Sequence, residues 1–235
     1  MVVITRNQRV FLKRSLPMLA AQRLEEGSAR GAGLEVIVVD SGSTDGALDV
    51  VRAHSGAVRL VEIAPETFGF ARAHNVGAAH ARGEFVVRLS GDAIPARDDW
   101  LQRLLAPFAG DARLAATWGG QILPPHVRNP LERFAQRLLY PPSRPARRYT
   151  TPTTVNGANL AVRRSLLAAH PYDERLPQAE DYAWVAHWCR RGWTAAYVPD
   201  APVIHGHEEP LVRAARRALA QSTFQGLIRL GVWGH

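Results

Sequence analysis

The sequence holds little that could cross-link or anchor it. Cys189 is its only cysteine, which excludes an internal disulfide framework and fits a reducing compartment. No window comes near the roughly 18 consecutive apolar residues of a membrane-spanning helix. The opening MVVITRNQRVFLKRS has too short an apolar segment for a signal peptide. No internal repeat is present. These features predict a cytoplasmic protein. Lysine is almost missing too: Lys13 stands alone although the formal net charge is +8, so the positive charge is arginine. Its planar, bidentate fork suits phosphates. The excess fits nucleotides, nucleic acid or an anionic membrane surface, and equally an arginine-favouring genome. With 46% hydrophobic and 21% charged residues, the 235-residue chain has the make-up of an ordinary globular protein with a sizeable core.

What is present alternates. MVVIT reads as a strand, and residues 9–27 carry apolar positions at helical spacing. LEVIVVD (34–40) is a continuous apolar run, the mark of a strand buried on both faces. SGSTDGALDVVRAHSG (41–56) gives a Gly/Ser/Asp turn, a cap and a helix. A strand (58–63), a helix closed by Gly83 (70–83) and a third buried strand, EFVVRLS, follow. Strands alternating with helices predict an α/β fold with a Rossmann-like, mostly parallel sheet flanked by helices. Such sheets bind ligands beyond the carboxyl ends of their strands, where Asp40 and Asp92 both fall. Residues 123–152 hold seven of the sixteen prolines, six arginines and one acid. They predict a mobile loop or crossing segment, interrupted by a helix at PLERFAQRLLY, rather than folded core. An acidic turn and helix, an extended stretch and a basic amphipathic tail helix (211–231) complete the chain. The tail can lie on the cytoplasmic face of a membrane.

Four groups of residues can carry chemistry. Asp40 ends a strand, where a carboxylate can accept the ring N–H of a uracil or thymine. A helix-capping role for the same turn is the alternative, and for Asp45 the better one. Asp92, in SGDAIP, either closes a turn or joins a divalent cation to a diphosphate, since Mg²⁺ often uses only one or two protein carboxylates. Glu180 and Asp181 open a helix. The helix dipole alone accounts for acids there, but Asp181 can also act as a general base, and mutual repulsion can raise one pKa. His205 and His207 point to one side of an extended segment and can ligate a metal or donate to a phosphate.

The order of these groups, from VVDSGSTDG through FARAHNVGAAHARGEFVVRLSGDAIP, NGANLAVRRSLL and AEDYAWVAHWCRRGW to VIHGHE, resembles glycosyltransferase family 2 over nearly the whole chain. The resemblance implies a single GT-A domain, with a nucleotide-sugar-binding half (1–120) and an acceptor-binding half (121–235) whose Pro/Arg segment is a lid. It implies an inverting transferase moving a sugar from a nucleoside-diphosphate donor to an acceptor hydroxyl, aided by Mg²⁺ or Mn²⁺. The SGDAIP and HGH variants are most similar to bacterial rhamnosyltransferases of polysaccharide biosynthesis, whose donor is dTDP-rhamnose; UDP is the other candidate carrier. By position, Asp40 with Ser41 and Asp45 looks like the base-recognising turn. Asp92 matches the last acid of the family's Asp-x-Asp metal motif, with Ser90 in the first place and Gly91 between. Asp181, beside Glu180, matches the catalytic base. His205 is similar to the downstream metal-diphosphate histidine, with His207 close by. Asn156, Gly157 and Asn159 fall where the family shapes its pocket. His74 replaces a common arginine, a diphosphate contact that Arg72 can take over.

Two other classes compete. A sugar-phosphate nucleotidyltransferase would need a Gly-rich, basic N-terminal loop, which ITRNQRVFLK is not. A basic nucleic-acid or lipid-binding module is motivated by PSRPARRY and RAARRAL; nucleic acid is not expected as a partner. Acceptors in view are carbohydrate, lipid-linked or small-molecule hydroxyls, and the oligomeric state stays open.

Overall fold

The computed structural model describes residues 1–22, 24, 33–152 and 154–231. The apolar runs become strands β1 (Val2–Thr5), β2 (Val36–Asp40), β3 (Val58–Glu62) and β4 (Phe85–Ser90). They pair in parallel in the order β3-β2-β1-β4. Alternation along each strand fills both faces. Val2, Ile4, Ile37 and Val39 pack into one core, and Met1, Val3, Val36 and Val38 into the other. Helices α1 (Arg9–Ala20) and α2 (Ala47–Arg52) cover the second face. Helix α3 (Phe70–Ala79) covers the first.

The chain continues through β5 (Ile94–Pro95), α4 (Trp100–Ala109), β6 (Leu114–Ile122), α5 (Pro130–Leu139) and β7 (Arg147–Tyr149). It ends with β8 (Asn159–Arg163), α6 (Arg164–Ala169), α7 (Glu180–Cys189), β9 (Thr194–Ile204) and α8 (Leu211–Arg229). These strands extend the same sheet as β4-β8-β6-β9-β5, with β7 on β9. Among the described residues both halves of the chain therefore share one sheet. Antiparallel pairing enters at β8, β5 and β7. Strand β8 begins opposite Leu89, at the carboxyl end of β4, so the chain enters it from the far end and runs back.

Three local expectations change. The first helix is described only to Ala20; of its expected continuation, residues 23 and 25–27 lie outside the described residues. The helix expected to close at Gly83 ends at Ala79, and Gly83 donates instead to the Glu35 carboxylate at 3.1 Å. Segment 123–152 keeps its expected helix as α5 but is folded beyond it. Asn129 caps α5 through Leu131 N–H (2.9 Å) and Glu132 N–H (3.3 Å). Pro130 takes the first helical position, where no N–H is needed. Val127 and Tyr149 are buried, and β7 joins the sheet. The prolines sit where the fold wants turns and a helix start.

Helix α3 can approach the sheet closely because Gly77 has no side chain. A Cβ there would stand 2.3 Å from Val2 Cγ1 and 3.0 Å from Val39 Cγ2. Gly77→Leu is expected to destabilise the fold by roughly 1–3 kcal/mol, read as a lower urea midpoint at unchanged slope. An unaltered midpoint would show that this contact does not seat the helix.

Candidate active site

Beyond the carboxyl ends of β1 and β4 lies a cavity of about 510 Å³, a size suited to a small-molecule ligand. Thr5, Ser90, Gly91, Asp92, Asn156, Gly157, Glu180, Asp181, His205 and His207 all line it. Helices α5 and α8 wall the opposite side through Leu131, Ala135, Leu139, Ala214, Ala218 and Arg217. Residues 92, 181 and 205, far apart in the chain, thus meet around one space.

Asp92 follows β4, and the two histidines follow β9. His205 is fixed by its backbone, donating to Ile122 O at 3.0 Å and accepting from Gln121 Nε2 at 3.0 Å. Its Nε2 lies 3.4 Å from Asp92 Oδ1, and His207 Nδ1 lies 3.5 Å from Oδ2. Ligand atoms of all three residues fall within 4.8 Å of one another. Burial alone would raise the Asp92 pKa, but hydrogen bonding and charge from His205, then His207, bring it below the usual carboxylate value. Burial, then the His205 charge, pushes His207 down, which favours the neutral imidazole that a metal needs. The buried Nδ1 of His205 has no protein partner. A carboxylate and two imidazoles whose ligand atoms lie this close fit a divalent cation.

On the cavity's other side, Ala179 turns the chain into α7 with a left-handed φ of 63°, a conformation that costs a non-glycine residue about 1–2 kcal/mol. It delivers Glu180 and Asp181 to the first turn, both buried. Arg88, in the middle of β4, meets them. Its Nη2 binds Glu180 Oε1 at 2.6 Å, its Nε binds Gly157 O at 2.7 Å, and its guanidinium lies 5.2 Å from the Tyr172 ring centre. Burial opposes the Arg88 charge, yet Glu180, Asp181 and Tyr172 hold the guanidinium firmly protonated. Asp181 accepts from Tyr182 N–H at 2.7 Å. Burial pushes its pKa up to about 6, against the pull of Arg88 and with the repulsion of Glu180. Gly157 makes room for it: a Cβ there would lie 2.2 Å from Asp181 Oδ2.

Of the other sequence candidates, all but Asn156 stand off this cavity's lining. Asp40 accepts from Gly42 N–H and Ser43 N–H, both at 2.9 Å, and from the Ser43 hydroxyl. Ser41 donates to Thr5 O. Asp45 accepts from Arg9 N–H and Ala47 N–H, joining the starts of α1 and α2. Arg72 pairs with Glu174 at 3.4 Å. His74 is buried, with no partner for either ring nitrogen, and burial drives its pKa well below the usual value. Asn159 accepts from Trp100 Nε1 and donates to Gly120 O and Ala201 O, a core bracket. Asn156 lines the cavity while donating to Gly119 O. Sequence reasoning missed Arg88 and Arg217. The one signal for Arg88 was a charge within an apolar run. Arg217 is pinned by Glu132 and Glu209, each at 2.7 Å.

Comparisons with known proteins bear on the family and the fold. The family model described as Glycosyl transferase family 2 matches residues 1–170. The O-antigen chain rhamnosyltransferase WbaN of Salmonella anatum is 31% identical over 191 residues, which are 74% of this chain and 56% of that protein. Glycosyltransferase AglE of Haloferax volcanii is 27% identical over 69% of this chain and 52% of its own length. The chain thus spans about half the length of these two relatives. In fold it is similar to the mannosyltransferase PcManGT of Pyrobaculum calidifontis, solved with GDP-Man and Mn²⁺. That match has a TM-score of 0.72 at 24% identity, covering 100% of this chain and 64% of the other. A likeness at that identity speaks for the fold, here the GT-A fold. The family match extends over residues 1–170, well beyond half of the sequence, and on that ground the chain belongs to glycosyl transferase family 2.

Proposed function

We propose that this chain is an inverting glycosyltransferase acting on a nucleoside-diphosphate sugar, with Asp181 as the base that activates an acceptor hydroxyl. One observation carries the reading: a buried carboxylate of raised pKa shares a cavity with the Asp92–His205–His207 cluster. A hydroxyl is a poor nucleophile until its proton is taken as the new bond forms, a contribution typically of ~10²–10⁴-fold. In this reading Asp181 takes that proton, supported by its burial in the cavity beside Arg88, Glu180 and Gly157. A divalent cation held by Asp92, His205 and His207 would offset charge gathering on the departing diphosphate. Two imidazoles favour Mn²⁺ over Mg²⁺ in that position, in keeping with the Mn²⁺ of PcManGT. The O-antigen chain rhamnosyltransferase relative supports a rhamnose-like sugar, and with it a place in polysaccharide synthesis; the dTDP or UDP carrier rests on the sequence resemblance alone. We assign Asp40 to the turn at the base end of the donor. Binding a ring N–H directly would require the Ser43 hydroxyl to turn away.

Asp181→Asn is expected to leave nucleotide affinity nearly unchanged while transfer falls by about 10²-fold or more, measured by release of nucleoside diphosphate from the sugar nucleotide. Near-normal turnover would remove Asp181 from the mechanism. In the wild type, transfer should rise as pH increases through about 6. Because this carboxyl titrates higher in the folded chain than its ordinary value of 3.8, the folded state binds the extra proton between those limits. The group's contribution to stability therefore declines as pH rises across that window, and Asp181→Asn should remove that slope.

Arg88→Met strands two buried carboxylates and should cost roughly 3–5 kcal/mol of stability by urea denaturation. It should also move the acid limb of the pH–rate profile upward, whereas Glu180→Gln moves it downward. Shifts in the same direction for both would refute the electrostatic assignment. Asp92→Ala should weaken Mn²⁺ binding by about 10-fold or more in a calorimetric titration. Unchanged affinity would place the metal elsewhere.

A further inference from the structure

Helices α5 and α8 have two faces, and the site uses only one. On α5, Leu131, Ala135 and Leu139 line the cavity, while the opposite stripe is Arg133, Phe134, Arg137 and Leu138, all exposed. Phe134 is 64% exposed and Leu138 54%. On α8, Ala214 and Ala218 line the cavity, while Val212, Arg213, Arg216 and Leu219 face outward. Val212 is 64% exposed and Leu219 69%. The Arg217–Glu132 bridge ties the two helices together. Large apolar side chains left in water on a helix pair are uncommon unless something covers them.

The charges say what covers them. The acids of these helices and of the approach to α8 are Glu132, Glu208 and Glu209. Glu132 and Glu209 are bound to Arg217, and Glu208 accepts from the Arg128 and Asn129 backbones. Arg133, Arg137, Arg213 and Arg216 make no ion pair among the described residues. The outer faces therefore offer aromatic and aliphatic side chains interleaved with uncompensated arginine. That is the chemistry of a helix lying at an anionic lipid–water interface. A second copy of the chain would bring the same arginines against each other. No helix among the described residues is long and apolar enough to cross a membrane, so the contact would be peripheral.

We propose that the outer faces of α5 and α8 form a docking surface for an anionic lipid bilayer, with Phe134, Leu138, Val212 and Leu219 entering the interface and the four arginines holding lipid headgroups. The docked helices would then form the wall between the bilayer and the cavity, a geometry suited to an acceptor carried in the membrane; that consequence alone rests on the function proposed above.

Vesicle co-sedimentation tests the docking without donor, acceptor or metal, so its outcome is separate from that of the catalytic assays. With vesicles of phosphatidylglycerol and phosphatidylcholine at low salt, the chain should partition about 10-fold or more above its partition on phosphatidylcholine alone. The preference should shrink as salt rises. Phe134→Ser/Leu219→Ser and, separately, Arg133→Glu/Arg137→Glu should each lower binding about 10-fold while leaving the melting curve and nucleotide affinity unchanged. None of these four residues lines the cavity. Absence of sedimentation with anionic vesicles, or equal binding by wild type and both variants, overturns the proposal. A wild-type dimer that Phe134→Ser/Leu219→Ser converts to monomer, without vesicle binding, assigns the face to self-association instead.

Discussion

Arg88 and Glu180 meet at 2.6 Å where almost no water reaches, and neither ion would be stable there alone. Removing a charge from water costs several kcal/mol even after the protein relaxes, so a buried ion needs its partner and further hydrogen bonds. Arg88 finds them in Glu180, the Gly157 carbonyl and the Tyr172 ring. These contacts tie the central parallel strand β4 to the loop before β8 and to the first turn of α7. Asp181 rides on that junction. Its position follows from the ion pair next door, from the left-handed turn at Ala179 and from the missing side chain at Gly157. Its raised pKa has the same origin, because burial and Glu180 together outweigh one guanidinium.

The cavity joins two electrostatically different ends. At one, Asp92 faces two imidazoles and its pKa is held below the carboxylate norm. At the other, Asp181 is buried and its pKa stands above that norm. Two aspartates in one space are thus tuned in opposite directions by their neighbours, a pattern that separates the roles of paired acids. In the proposed mechanism the low-pKa aspartate holds a cation and the high-pKa aspartate takes a proton.

The parallel half of the fold was readable because VIVV and FVV within LEVIVVD and EFVVRLS are apolar without alternation, as strands covered on both faces are. Asp92, Asp181 and His205 were readable from their places at element ends. Arg88 was not: alternation within a strand makes a lone arginine look solvent-facing, and its burial depends on Glu180, 92 residues later in the chain. Asp45 takes the capping role favoured for its turn, whereas Asn159 is consumed by bracing the core against Trp100. Arg72 is taken up by Glu174 and His74 is buried against Tyr172, partners far along the chain that the spacing of FARAHN does not announce. The helix of segment 123–152 was legible in PLERFAQRLLY, but β7 and the buried Val127 and Tyr149 were not, because proline and arginine counts say nothing of position.

Ser90, in the place where an acid was expected, makes sense in the same electrostatic frame. Residues 88 and 90 of a strand point to one face, so an acid at position 90 would project on the side of Arg88, whose Nη1 has no partner. That guanidinium already binds Glu180 and offsets the charge of Asp181. A third carboxylate would compete for it and would raise the Asp181 pKa further, making the proposed base harder to ionise near neutrality. His205 and His207 supply donor atoms around Asp92 without adding negative charge. In this reading, a site of one carboxylate and two imidazoles keeps a place for the cation and spares the ion pair on which the proposed base depends.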